Sequence, residues 1–252
     1  MTENPRETQV LDAVVTLVDS LLDDFDVVDL LTDLTARCAE LLDVSATALL
    51  LADPLGQLRL LAATSEQART LELFQLQAAE GPCVDCYTTG QPVSVADLRV
   101  AVRRWPQFVP AALDAEFASV HAVPMRAAGV VLGALGLFGT RPGELSESDL
   151  LVGQTLAHIA CVAILQEHPH TPDTVMPPMR AALASRVVVE QAKGFLRESL
   201  DVSVEDAFGI LRSYSHANGL HLTEVARRLM SEPASRPELV AALGEVATAP
   251  PR

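Results

Sequence analysis

Apolar residues at positions 10, 11, 14, 15, 17, 18, 21 and 22 recur at the spacing of one helix face, and the same spacing resumes from Val27 to Leu42 after the acidic break Asp23-Asp24-Phe25-Asp26. Two helices therefore open the chain. The unbroken run Ala46 to Ala52 (ATALLLA) predicts a buried strand, Asp53-Pro54-Leu55-Gly56 a turn, and Leu58 to Ala63 (LRLLAA) the second strand of a hairpin. A helix from Ser65 to about Gln77 follows. Glu80-Gly81-Pro82-Cys83 starts a short helix with Pro82 near its first position, where a missing N–H is harmless, and Thr89-Gly90 stops it. A short strand at Pro92 to Ala96, a helical stretch around Pro106 to Phe117 and a strand at Ser119 to Arg126 come next. The tight turn Ala128-Gly129 then leads into a small-residue strand, Val130 to Gly139. Ser146 to Gln166 is a long helix, with Ser146 and Asp149 placed for a capping box. His168-Pro169-His170-Thr171-Pro172-Asp173 cannot extend it and marks a boundary, beyond which Pro177-Pro178 restarts structure.

After the boundary the pattern is helical throughout. From Met179 to Leu200 the apolar positions 182, 183, 187, 188, 189, 192, 195, 196 and 200 cover far more than one stripe, which a single bundle core cannot use. Part of this surface, together with the closing helix Ser146 to Gln166, is expected to form a homodimer seam. Arg186, Glu190, Lys193 and Arg197 are spaced 4, 3 and 4 apart and share one polar face. Ser203 and Asp206 frame a second helix that stops at Asn218-Gly219, Leu222 to Leu229 gives a third, and Ser235-Arg236-Pro237-Glu238 caps a fourth.

Charge divides the chain in the same place. Residues 1–176 hold 9 of the 18 Lys+Arg and 24 of the 33 Asp+Glu, whereas residues 177–252 hold 9 of each. An acidic surface repels polyanions, so any nucleic acid is expected to meet the C-terminal third. No run of 18 uncharged apolar residues and no signal peptide stands out, which places the expected protein in the cytoplasm without a membrane partner. Cys38, Cys83, Cys86 and Cys161 are too few and scattered for a disulfide framework.

Catalytic and metal chemistry find little support. Cys83 and Cys86 form the one CxxC, and a structural zinc site would need two more ligands from the distant His121, His158, His168 and His170. No metal site, no catalytic residue and no required cofactor is assigned. Cys83 at a helix N-terminus suggests a stabilised thiolate and a redox signal. With Cys86, Trp105 and His121 it makes up a candidate sensor pocket for a small molecule. A P-loop, a GxSxG and an HExxH motif are missing, and a phosphoacceptor receiver is excluded because Lys193 is the single lysine.

The order of helices, hairpin, helices and a final hairpin running into a long helix describes an α+β domain with a central antiparallel sheet. Over residues 10–168 it resembles a GAF domain, and Glu80-Gly81-Pro82-Cys83-Val84-Asp85 is similar to a loop of actinobacterial members. A linker spans residues 169–176. The remainder, 177–250, forms an all-α module. Its run Ser185-Arg186-Val187-Val188-Val189-Glu190-Gln191-Ala192-Lys193-Gly194, followed by Ala207-Phe208, Leu211-Arg212, Asn218, Leu222 and Val225-Ala226, looks like the ANTAR module of transcription antitermination regulators. That resemblance implies binding of RNA hairpins, usually as a dimer, gated by a signal in the first domain. Phe195 and Arg197 depart from the family pattern, Arg197 adding a cation to the proposed face.

Arg forks, a Lys point charge and a close-approach glycine suit the phosphates and splayed bases of a hairpin. The residues assigned to RNA are Arg186, Gln191, Lys193, Gly194, Arg197, Arg212, His216 and Asn218. The plainer reading of the α-helical stripe is a solvated face laced by ion pairs. Two rivals from other classes are a DNA-binding helix-turn-helix repressor, which would need more basic residues than Arg227 and Arg228 on its recognition helix, and a GAF-type enzyme, which would need a dense polar pocket in the first domain.

Overall fold

The computed structural model describes residues 5–42, 44–166 and 176–248. Ten helices and five strands are assigned in them. The linker expected at 169–176 lies, up to residue 175, outside the described residues. Helices α1 (Pro5–Leu22) and α2 (Val27–Leu41) precede the hairpin β1 (Ala46–Ala52) and β2 (Leu58–Ala63). Then come α3 (Glu66–Ala78), α4 (Pro82–Thr89), β3 (Val93–Val95), a 3-10 turn at Leu98–Ala101 and α5 (Phe108–Asp114). The hairpin β4 (Ser119–Ala127) and β5 (Val130–Gly139) leads into α6 (Glu147–Gln166). The C-terminal helices are α7 (Met176–Leu200), α8 (Val204–Asn218), α9 (Leu222–Ser231) and α10 (Arg236–Thr248).

Local chemistry explains most of these boundaries. Ser65 and Ser203 cap α3 and α8 by accepting from the N–H groups of Ala68 and Asp206. Ser146 and Asp149 close a reciprocal capping box on α6. Pro82 opens α4, and Gly219 ends α8 in the left-handed conformation at φ 62°. Ala128 and Gly129, at φ 51° and 78°, make the primed turn whose twist matches the flanking strands β4 and β5.

The sheet has the order β2-β1-β5-β4-β3, and every pair is antiparallel. Side chains alternate across it. Leu49, Leu51, Val123, Leu135 and Leu137 face α2 and α6, while Ala48, Leu50, Val120, Ala122, Ala134 and Phe138 face the side of α3, α4 and α5. On that second side Gly136 lets two helices approach the sheet, since a Cβ there would lie 2.8 Å from Glu72 Oε1 and 2.9 Å from Cys83 Sγ.

The helical module does not stand apart from this domain. Ala182, Val189, Ala192 and Leu196 of α7 are buried in one apolar cluster with Leu31, Leu34, Leu61 and Ile164 of the first domain. Helix α7 touches α8 and α9 of its own bundle and also α2, α6, β1 and β2. Of the two helices expected at a dimer seam, α7 has one exposed residue, Val187 at 55%, among its nine apolar positions, and α6 exposes Leu151 at 68% and Val162 at 42%. The surplus circumference of α7 is covered within the chain. An exposed apolar row lies instead on α1, where Leu11, Val15, Val18 and Leu22 are 40–78% exposed. Helix α6 also revises a sequence expectation, since it has the length and apolarity of a membrane span. Its Leu156, Ala157, Ala160, Ala163 and Ile164 form the core under the sheet, which accounts for that composition.

Candidate functional site

Helix α7 presents its polar stripe to the first domain. One carboxylate, Glu190, sits at its centre and meets three cations: Arg186 at 2.5 Å, Lys193 at 3.0 Å and, from α3, Arg69 at 3.3 Å. Side-chain exposure is 11% for both Arg186 and Lys193. They line a cleft of about 580 Å³ between the two domains, with the β2–α3 junction on one wall and Phe208 of α8 on the other. Lys193 Nζ lies 5.5 Å from the centre of the Phe208 ring, a cation–π distance. Gly194 and Arg197 line the same cleft and are exposed.

Burial disfavours the charges of Arg186 and Lys193 and lowers both pKa values, and the neighbouring Arg69 lowers them further. Burial also acts against the Glu190 carboxylate, but Arg186 and Lys193 beside it outweigh that effect and hold its pKa below the usual range. The stripe is laced by ion pairs, as the plainer sequence reading has it, yet it is largely withdrawn from solvent.

A second group of residues assigned to RNA lies on α8 against an acidic patch of the first domain. Arg212 pairs with Asp29 at 2.6 Å and Asp33 at 2.5 Å, His216 with Asp29 at 2.6 Å, and His221 with Asp24 at 2.9 Å. Asp26 contributes twice. Its Oδ1 caps α2 by accepting from Val28 and Asp29 N–H, and its Oδ2 accepts from Thr223 N–H at 2.6 Å, capping α9 across the domain boundary. Helix α9 needs this help, because its own N-cap, His221, makes no side-chain cap bond. The hydrogen bond that His221 donates to Asp24 raises the His221 pKa.

The eight residues assigned to RNA thus separate into the cleft set Arg186, Lys193, Gly194 and Arg197, the acid-paired set Arg212 and His216, and two outliers. Gln191 is exposed and outside the cleft lining, and Asn218 donates its side-chain N–H to Tyr214 O at 2.8 Å as a local cap. Arg69, Asp24, Asp26, Asp29 and Asp33 were not singled out in the sequence. The acidic run around Asp24 carried a signal, but it reads locally as a break between helices.

The candidate sensor pocket is divided by the sheet. Cys83, Cys86 and Trp105 are buried in the core on the side of α3, α4 and α5. His121 alternates with Val120 and Ala122, which share that core, and lines a different cleft with Ser119, Arg141 and Glu144. The four residues do not converge. Trp105 donates its indole N–H to Asp85 at 3.2 Å, and Arg104 bonds to the same carboxylate. Burial lowers the His121 pKa, favouring its neutral form.

The thiolate expected at the α4 N-terminus is disfavoured. Burial and the adjacent Glu72 carboxyl push the Cys83 thiol well above its ordinary value, and burial lifts Cys86 to about 12. Cys83 instead belongs to a buried polar trio. Its thiol donates to Glu72 Oε1 at 3.2 Å, its N–H donates to Gln75 Oε1 at 3.2 Å, and the Gln75 amide donates to Glu72 Oε2. Among the described residues no cation stands beside Glu72, and burial raises its pKa to about 7. Sequence reasoning missed Glu72 and Gln75, which look like ordinary polar positions on a short helix.

None of the curated proteins matches this chain. Among solved structures, the GAF domain of an Acinetobacter phosphoenolpyruvate-protein phosphotransferase superposes with a TM-score of 0.51 at 18% identity, over 65% of this chain and 97% of that one. A GAF domain from the Coxiella burnetii phosphoenolpyruvate-protein phosphotransferase matches at 18% identity and TM-score 0.49, covering 61% of this chain and 91% of that one. The free methionine-R-sulfoxide reductase from Neisseria meningitidis does so at 18% and 0.49, covering 72% and 96%. The GAF domain family profile matches residues 26–165 and the ANTAR domain profile residues 178–230. The chain therefore belongs to the GAF family over more than half its length and carries an ANTAR domain after it, the composition of a sensor-gated ANTAR regulator.

Proposed function

We propose that this protein is a non-catalytic RNA-binding transcription antitermination regulator. Residues 177–250 bind hairpins in nascent RNA through the α7 and α8 cations, and residues 10–168 gate that binding in response to a small molecule or a redox change. One observation carries the reading: Arg212 and His216 of the ANTAR domain meet aspartates of the first domain, and Arg186 and Lys193 are enclosed with Glu190 in a cleft against it. Docked in this way, carboxylates stand where RNA phosphates would. A signal that favours the undocked arrangement frees the cations, and its effect is bounded by its differential affinity for the two arrangements.

A second copy fits the exposed row Leu11, Val15, Val18 and Leu22 on α1, whose 4, 3, 4 spacing is that of a helix–helix seam. Two linked modules would gain affinity for a two-hairpin RNA through effective concentration. Binding of the full chain to a two-hairpin RNA, a scrambled RNA and duplex DNA tests the reading. The expected result is preference for the two-hairpin RNA, weakened by roughly 1–3 kcal/mol in Lys193→Ala, as for loss of one charge-assisted contact. Equal affinity for all three nucleic acids, or stronger binding to the duplex, would overturn it in favour of nonspecific or DNA binding.

A further inference from the structure

The interdomain cleft holds an electrostatic imbalance that the chain does not resolve. Arg69, Arg186 and Lys193 converge on Glu190, and Arg69 also lies 3.9 Å from Glu66, so that three cations share two carboxylates. Glu66, the second partner of Arg69, is exposed at the rim of the cleft, as are Glu205 and Arg197. Cations drawn out of water and set beside one another repel strongly, and a buried cluster of this kind is costly without a counter-ion. The protein as a whole is acidic, at −15, so the imbalance is not a general property of its surface.

A second, independent feature marks the same place. Gly194 lies within α7, where glycine costs about 1 kcal/mol relative to alanine. A Cβ at Gly194 would meet nothing within 4 Å, so no packing in the chain requires the glycine. It faces the cleft, and the clearance it provides is toward whatever enters there. The volume, about 580 Å³, is in the range of small-molecule sites and too small for a folded hairpin.

We infer that this cleft binds a small phosphate-bearing molecule, whose phosphate bridges Arg69 of the sensor to Arg186 and Lys193 of the output module. A phosphate monoester carries about −1.5 to −2 charges at neutral pH and three acceptor oxygens, one for each of the three cations, where a carboxylate offers two. Three sides of the tetrahedral group suit an Arg fork from each domain and the Lys point charge. Because the cations come from both domains, the ligand binds the docked arrangement and holds it closed. That regulatory consequence rests on the RNA reading above; occupancy of the cleft does not.

The test uses the full chain with inorganic phosphate and pyrophosphate as probes, at constant ionic strength set with sodium chloride. Calorimetry and thermal melting without RNA should show saturable binding and a rising melting temperature, pyrophosphate binding at least 10-fold more tightly than phosphate. Arg69→Ala and Lys193→Ala should each weaken pyrophosphate binding 10-fold or more. Glu190→Gln, which removes the competing carboxylate, should tighten it, and Arg227→Ala, away from the cleft, should leave it unchanged. Absence of saturable binding in both the wild type and Glu190→Gln overturns the site, and so does equal affinity in wild type and Arg69→Ala. With a two-hairpin RNA, saturating pyrophosphate should weaken RNA binding by the wild type and have little effect on Arg69→Ala. Pyrophosphate binding in a chain that fails to bind RNA would sink the antitermination reading and keep the ligand site.

Discussion

The two basic clusters of the ANTAR domain meet the GAF domain on opposite terms. On α8, Arg212 is enclosed by Asp29 and Asp33, and His216 and His221 find Asp29 and Asp24. Carboxylates are in excess there. At α7, Arg186 and Lys193 share Glu190 with Arg69, a third cation brought by α3. The difference teaches which contacts are complete within the chain and which await something else: the α8 clasp is satisfied by the docked domain, while the α7 cleft is satisfied only in part. A clasp releases its cations when the domains part. A cleft with missing charge draws in a ligand while they stay together.

Glu72 extends the comparison to a buried carboxyl with no cation beside it among the described residues, and its expected effect is the largest. Burial raises its pKa from 4.5 to about 7. The unfolded chain ionises first as pH rises, so the stabilising contribution is whole below pH 4.5 and has been lost once pH has risen through about 7. A shift of this size corresponds to about 3 kcal/mol at 1.36 kcal/mol per pH unit. Chemical denaturation of the wild type between pH 4.5 and 7 should show that loss, and Glu72→Gln should flatten it. An equal slope in the variant would show that the carboxyl titrates in the folded state as it does in water.

The clasp is weaker because its partners are partly wet. Asp29→Asn with Asp33→Asn removes both carboxylates from Arg212, whose side chain is 29% exposed. Charge-assisted bonds in such a setting are worth about 1–2 kcal/mol together after screening. The double variant should bind a two-hairpin RNA roughly 10-fold more tightly than the wild type, the conversion following from 1.4 kcal/mol per decade. Tighter binding with pH provides a milder version. Asp24 raises the His221 pKa, so this contact holds in acid and is lost as pH rises through the raised value, and docking should weaken in that direction. An RNA affinity that the aspartate substitutions leave unchanged would mean that the α8 cations do not contact RNA.

Local rules made much of the fold legible. The capping residues Ser65, Ser146 and Ser203, the Pro82 start, the Gly219 stop and the Ala128-Gly129 turn act on neighbours in the chain, and each boundary falls where such chemistry puts it. The α7 stripe was legible as a set for the same reason, since helical spacing alone gathers Arg186, Glu190, Lys193 and Arg197. Its surroundings were not. Nothing local tells Asp29 that His216 will stand against it, 187 residues away. The surplus apolar surface of α7 was read correctly as more than one core requires, but whether it meets a second copy or its own sensor is a question of docking. His121 failed for a geometric reason: strand alternation places it opposite Val120 and Ala122, yet only the packing of α4 decides on which side Cys83 and Cys86 lie.

Gly194→Ala gives the smallest and most discriminating effect, because it separates what the fold needs from what the cleft needs. The glycine is inside α7 and a Cβ would meet nothing within 4 Å, so alanine introduces no clash and restores helix propensity. The variant should be more stable by about 0.5–1 kcal/mol, measured by denaturant midpoint at unchanged slope. The added methyl group faces the cleft, however, so an occupant that approaches the helix backbone must move away from it and lose part of its contact with Lys193 and Arg186. Affinity for the ligand of the cleft, and for RNA where the same face is used in the open arrangement, should fall while stability rises. Stability and binding that rise together would show that Gly194 serves neither partner and that the open side of α7 is ordinary solvent-facing surface. A gain in stability with a loss confined to pyrophosphate, and RNA binding intact, would assign the clearance to the closed arrangement alone and sharpen the distinction between the cleft and the clasp.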